Sequence, residues 1–317
     1  MKLGVNLAAL GDRSLARALD FVGALGVDTV ELNAEGTDPL TPLASLTARG
    51  GEVRQAVRDR GLTISALGNH GESQLIGGPW HADTDGVHRG DATEKRRWGT
   101  ERLLATARAA SELEVDTVIG FVGCEDWSRY FPWPAADGWE QMIEPFVETW
   151  SPILDEFGRL GVRFAHEPHP KQLVFNLETA VAVTRALGER AEWGFNLDTG
   201  NLLLAGVDPA AFVQELGPHI FHVHAKDLEF VQHNLARSGW QSHGPWNRPD
   251  RGVRFRVPGW GDVPWKRVIS ELQLCGYRGS LSVEHEDPTM GREEGLTQGI
   301  RHLERVVLRD PPEEQWW

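Results

Sequence analysis

Cysteine is scarce in this 317-residue chain: only Cys124 and Cys275, far apart and in no metal-type pair. That scarcity argues against a disulfide framework and implies reduced thiols in a cytoplasmic protein. Positive charge is also short, with 32 Lys and Arg against 46 Asp and Glu, a formal net charge of −14. Such a chain repels phosphate backbones, so no nucleic-acid partner is expected. No apolar run approaches the roughly 20 residues that span a bilayer, and no membrane partner is expected. The opening MKLGVNLAALGDRS has one lysine and an apolar run broken by Asn6. It reads as a strand and turn rather than a signal peptide.

Tryptophan, by contrast, is abundant, with 13 copies. Trp80, Trp127, Trp133, Trp240, Trp246 and Trp260 sit in segments rich in Gly, Pro or Asp. Their rings either anchor loops or stack on the apolar face of a ligand.

Short apolar or β-branched runs recur along the chain: KLGVNL (2–7), VDTVEL (27–32), LTISAL (62–67), VDTVIGF (115–121), VRFAHE (162–167), WGFNLD (193–198), IFHVHA (220–225) and SLSVEH (280–285). Helical patterns lie between them, as at 14–25, 94–113 and 176–188. Several helices run into Gly and then the next strand, the usual join. Eight alternating βα units in about 300 residues predict a (β/α)8 TIM barrel. A doubly wound sheet normally shows a Gly-rich phosphate loop after its first strand, and AALGDRS lacks that spacing. The expected organisation is one barrel domain over 1–310 and a tail over 311–317. The stretch 227–262 is too long for a bare connection, and 228–259 reads as a lid after strand seven.

Strand parity then assigns faces. Phe164, Phe195, Leu197, Phe221, Val223, Leu281 and Val283 should face the helices. Glu167, Asn196, Asp198, His222, His224, Ser282 and Glu284 should face the interior. Four consecutive strands thus end in an inward Glu167, Asp198, His224 and Glu284. Like charges about 4 Å apart repel by roughly 4 kcal/mol even at a generous dielectric. Protons or a cation must neutralise three carboxylates there. One divalent ion, Mn²⁺ first and Mg²⁺, Co²⁺ or Zn²⁺ as alternatives, bound by Glu167, Asp198, His224 and Glu284, is the natural solution. His222, one pleat deeper, is expected to orient a neighbour by a hydrogen bond.

The motifs HEPHP (166–170), NLDTGNL (196–202), HVHAKD (222–227), PGWGDVPW (258–265) and GYRGSLSVEHEDP (276–288) carry a resemblance. The chain resembles the xylose-isomerase-like TIM-barrel superfamily of sugar isomerases and epimerases over nearly its whole length. The resemblance implies that residues matching Glu167, Asp198, His224 and Glu284 bind one divalent metal, with Glu167 and Glu284 also serving as catalytic acid and base. Many epimerase relatives carry His three residues after the Asp ligand. Here Asn201 stands there, able to bind a sugar hydroxyl but not to shuttle a proton. The motif VEHEDP and the long lid look most like the branch that cleaves 3-keto-glycosides, including the catalytic subunits of C-glycoside deglycosidases.

The chemistry expected is proton abstraction next to a metal-bound carbonyl of a sugar or keto-sugar. Reprotonation would make an isomerase or epimerase. Expulsion of a β-substituent would make a lyase or deglycosidase acting on a C- or O-linked 3-keto-glycoside, with or without a small partner subunit. A non-catalytic barrel subunit is the reading of another class, and an intact ligand quartet argues against it. Further substrate contacts are expected from His70 at the end of strand three, from His169, Asn201 and Asp227, and from Arg256 in the lid. A structural salt bridge is the alternative for Lys226 and Asp227. The PPEEQWW terminus, with two tryptophans, suggests a homo-oligomer or a hetero-oligomer.

Overall fold

The structure is a computed structural model that describes residues 1–311. Its strands are β1 (Lys2–Asn6), β2 (Thr29–Asn33), β3 (Thr63–Asn69), β4 (Thr117–Gly120), β5 (Arg163–His166), β6 (Trp193–Asp198), β7 (Ile220–Ala225), β8 (Asp227–Phe230), β9 (Val253–Arg256) and β10 (Ser280–Val283). All the apolar runs read from the sequence are strands. They close a parallel barrel in the order β1-β10-β7-β6-β5-β4-β3-β2, with helices between them, as a TIM barrel requires. The expected helices appear as Leu15–Ala24, Ala92–Glu112 and Leu177–Ala186. The helix Ile143–Leu160 ends at Gly161 with φ 68°, a left-handed turn that costs glycine nothing and feeds the chain into β5.

The chain divides into two compact units. The first holds Met1–Glu31, Val57–Ser65 and the described residues from Leu197 onward. Here β1 pairs with β2 and β10, and β10 with β7, through registers such as Ser282↔His224. The second holds Leu32–Ala56 and Ala66–Asn196. Its pairs are β3–β4, β4–β5 and β5–β6. Phe164 and Phe195 sit among the outward aromatic rings. Phe164 lies 4.8 Å from Trp150 and 5.9 Å from Phe157 of the Ile143–Leu160 helix, and Trp193 lies 5.6 Å from Phe195. This layer withdraws large apolar surface, at roughly 25 cal/mol per Å², and fixes the opposite parity as inward.

The segment after β7 is not a bare loop. β8 and β9 form an antiparallel pair, Asp227↔Arg256 to Phe230↔Val253, with the helix Gln232–Ser238 between them. Leu204, Leu228, Val253 and Phe255 make its own small core. No helix among the described residues is long and apolar enough to cross a membrane. The terminal tryptophans, and the expectation of an oligomer drawn from them, lie outside the described residues.

Candidate metal centre

In the first unit, three strand ends converge. Asp198 closes β6 and caps the short helix Thr199–Leu204, accepting from Asn201 N at 2.8 Å and from Asn201 Nδ2 at 2.9 Å. His224 Nδ1 lies 4.0 Å from Asp198 Oδ2 and 3.5 Å from Glu284 Oε2, which follows β10. These three side chains can offer ligand atoms all within 4.8 Å of one another. The ammonium of Lys226 stands 2.8 Å from the same Asp198 oxygen and 2.8 Å from the same Glu284 oxygen, and 3.1 Å from Glu286 Oε2.

A fourth acidic residue, unforeseen from the sequence, sets the imidazole. His224 Nε2 is 2.9 Å from both oxygens of Glu31, and Asn6 Nδ2 donates to Glu31 at 3.0 Å. A carboxylate only accepts, so Nε2 carries the hydrogen and the ring turns its Nδ1 edge toward Asp198 and Glu284. Burial pushes the Glu31 carboxyl up, but the rings of His224 and His222 outweigh it and hold Glu31 below the usual range. His222, its Nε2 hydrogen-bonded with Ser65 Oγ at 3.2 Å, stands 3.8 Å from Glu31, in the orienting place expected of it. The parity that singled out Asp198 and His224 also turns Glu31 inward at the end of VDTVEL. Two carboxylates, one oriented imidazole nitrogen and a cation already drawn to their oxygens fit a divalent metal ion.

In the second unit, Glu167 follows β5 and is buried. Its Oε2 accepts from Asn196 Nδ2 at 2.8 Å and faces His70 Nε2 at 3.2 Å. His70 packs edge-on against Phe121, 4.9 Å between centroids. His169 donates from Nδ1 to the Pro170 carbonyl at 2.7 Å. His166 is fully buried, donates to Val174 O, and is pushed down to about 4 by burial, so it is neutral at pH 7.

Three expected substrate contacts have partners within the protein. Asn201 grips Asp198. Asp227 is fully buried and accepts from Leu228 N, Gly259 N, Val263 N and Trp265 Nε1, all at 2.8–2.9 Å. It pins both ends of the β8–β9 excursion to the barrel, and burial raises its carboxyl above the usual range in spite of those donors. Lys226 turns to Asp198, Glu284 and Glu286. Arg256 is nearly buried and pairs with Asp287 at 2.8 Å and Glu229 at 2.6 Å. A guanidinium so engaged ties β9 to the chain after β10.

The family model described as xylose isomerase-like TIM barrel matches residues 19–306. The uncharacterized protein YfiH of Bacillus subtilis is 29% identical, covering 97% of this chain and 99% of its own. An inosose dehydratase of Geobacillus thermodenitrificans is 29% identical over 45% of this chain and 49% of its own. The solved structure of IolI with a bound zinc atom superposes with a TM-score of 0.68 at 18% identity, covering 97% of this chain and 98% of its own. With a parallel eight-stranded barrel and a family match across most of its length, the chain belongs to the xylose isomerase-like TIM-barrel family.

Proposed function

We propose that this protein is a divalent-metal-dependent enzyme that moves a proton next to the carbonyl of a sugar or keto-sugar. The observation that carries the reading is the Asp198, His224 and Glu284 donor set with Glu31 fixing the imidazole. By resemblance to the family, Glu167 is taken as a further ligand, and Mn²⁺ is the first choice of ion. When bound, such an ion polarises a carbonyl and stabilises the negative charge that develops on its oxygen.

The chain's own residues do the rest. Glu167 or Glu284 accepts the α-proton and returns it, and bases of this kind contribute about 10²- to 10⁴-fold. His70 and Asn196, bonded to Glu167 Oε2, aim that carboxylate and set which oxygen is free to take a proton. Return of the proton to carbon gives an isomer or epimer. The likeness to an inosose dehydratase, and Asn201 in place of a second proton-shuttling group, favour a second outcome: expulsion of a β-hydroxyl or β-linked aglycone. The β8–β9 excursion would act as the lid that keeps water from the intermediate.

The test is α-proton exchange in heavy water with an inosose and a ketohexose as probes. Glu167→Gln and Glu284→Gln should each abolish exchange. Undiminished exchange in either variant would exclude that residue as the base.

A further inference from the structure

We infer that Lys226 is a displaceable internal counter-ion, held on the metal-binding oxygens until a divalent ion drives its ammonium onto Glu286. The inference rests on the metal-dependent reading above. Its first ground is shared atoms. The two oxygens that face His224 Nδ1, Asp198 Oδ2 and Glu284 Oε2, are the two that Lys226 Nζ holds at 2.8 Å each. An ammonium and a divalent cation on the same pair of oxygens repel each other across a few ångströms of buried space.

The second ground is necessity. Asp198 is fully buried and Glu284 largely so, and like charges held that close call for compensation by a cation. Lys226, itself buried, supplies it. The third ground is a landing place. Glu286 Oε2 is already 3.1 Å from Nζ and its side chain is half exposed, so an ammonium moved toward it leaves the oxygens while keeping a carboxylate partner. Phe255 offers its ring face 4.8 Å from Nζ, a second cation-tolerant surface. The backbone need not follow, because Thr199 Oγ1 holds the Lys226 carbonyl and only the four-carbon stem has to swing.

The experiment measures the Mn²⁺ dissociation constant by calorimetry and the melting temperature in chelator and in excess Mn²⁺. It compares the full-length wild type with Lys226→Met, Glu286→Gln and the double variant. Lys226→Met should bind Mn²⁺ at least about tenfold more tightly. It should melt lower than wild type in chelator but not in excess Mn²⁺. Glu286→Gln should weaken Mn²⁺ binding severalfold with Lys226 present and leave it unchanged in the Lys226→Met background, since its effect passes through the lysine. Equal or weaker binding by Lys226→Met, or an equal Glu286→Gln effect in both backgrounds, would overturn the inference and leave the metal site standing. A wild type that binds no divalent ion would remove both readings together.

Discussion

Lys95 and Lys226 are both withdrawn from water, their side chains 0% and 4% exposed, yet their ammonium groups keep different company. Lys95, on the helix Ala92–Glu112, donates to the carbonyls of Trp80 and His81, to Thr84 Oγ1 and to Asp85. Its charge is spread over neutral acceptors and a single carboxylate, and the cluster is electrically closed. Lys226 meets the three carboxylates of Asp198, Glu284 and Glu286. One positive charge cannot balance three negative ones, so that cluster still attracts a cation. A buried lysine is therefore a structural bolt where dipoles satisfy it, and where anions outnumber it, as at Lys226, it accords with the metal site proposed above.

The largest effect that sharpens this contrast is Lys95→Met. It removes the ammonium's bonds to the Trp80 and His81 carbonyls and to Thr84 Oγ1, a loss of roughly 3 kcal/mol at about 1 kcal/mol each. Asp85 is open to water and adds little to that loss. Thermal melts should show the same drop with and without Mn²⁺, because this cluster has no part in the ion site. A drop that vanished in Mn²⁺ would break the distinction between the two lysines.

Wild-type protein should respond to metal in the opposite sense. Added ion at 100 times its dissociation constant should stabilise it by about 2.7 kcal/mol, read as a rise in melting temperature. Glu31→Gln should then lower metal affinity by about 10- to 100-fold, because the amide can no longer dictate which imidazole nitrogen keeps its lone pair. Unaltered affinity in a calorimetric titration would show that Glu31 does not orient His224.

The smallest effect concerns a group buried without charge. Burial pushes the Cys124 thiol up to about 12 from an ordinary 9.0. The folded protein keeps that proton while an unfolded chain loses it, so stability should be flat below pH 9 and fall as pH rises towards 12. A thiol reagent at pH 8 should spare Cys124 in the native protein and label it in denaturant. Native labelling of Cys124 would show that the structure around it opens readily.

Much of this was legible in the chain itself. Period-two alternation in WGFNLD, IFHVHA and SLSVEH declares which side chains share a face, and it turned Asp198, His224 and Glu284 inward before any fold was known. The same rule applied to VDTVEL turns Glu31 inward, but a lone Glu at a strand end has no local sign of its partner, which lies 193 residues away. The β8–β9 pair was read as lid rather than strand because its two halves are 22 residues apart and only pairing makes Val253 and Phe255 a strand.

The chain alone thus determined the eight barrel strands, their inward faces and the kind of ligand atoms they carry, because backbone sterics and side-chain period are local properties. Tertiary structure alone decided the rest. Asp227 and Arg256, polar residues beside the site in sequence, were drawn into structural bonds by donors and acids that the barrel brought to them. Lys226 was set among Asp198, Glu284 and Glu286, and Glu31 against His224. Charges act through space over a few ångströms, and those separations exist only once the barrel has closed.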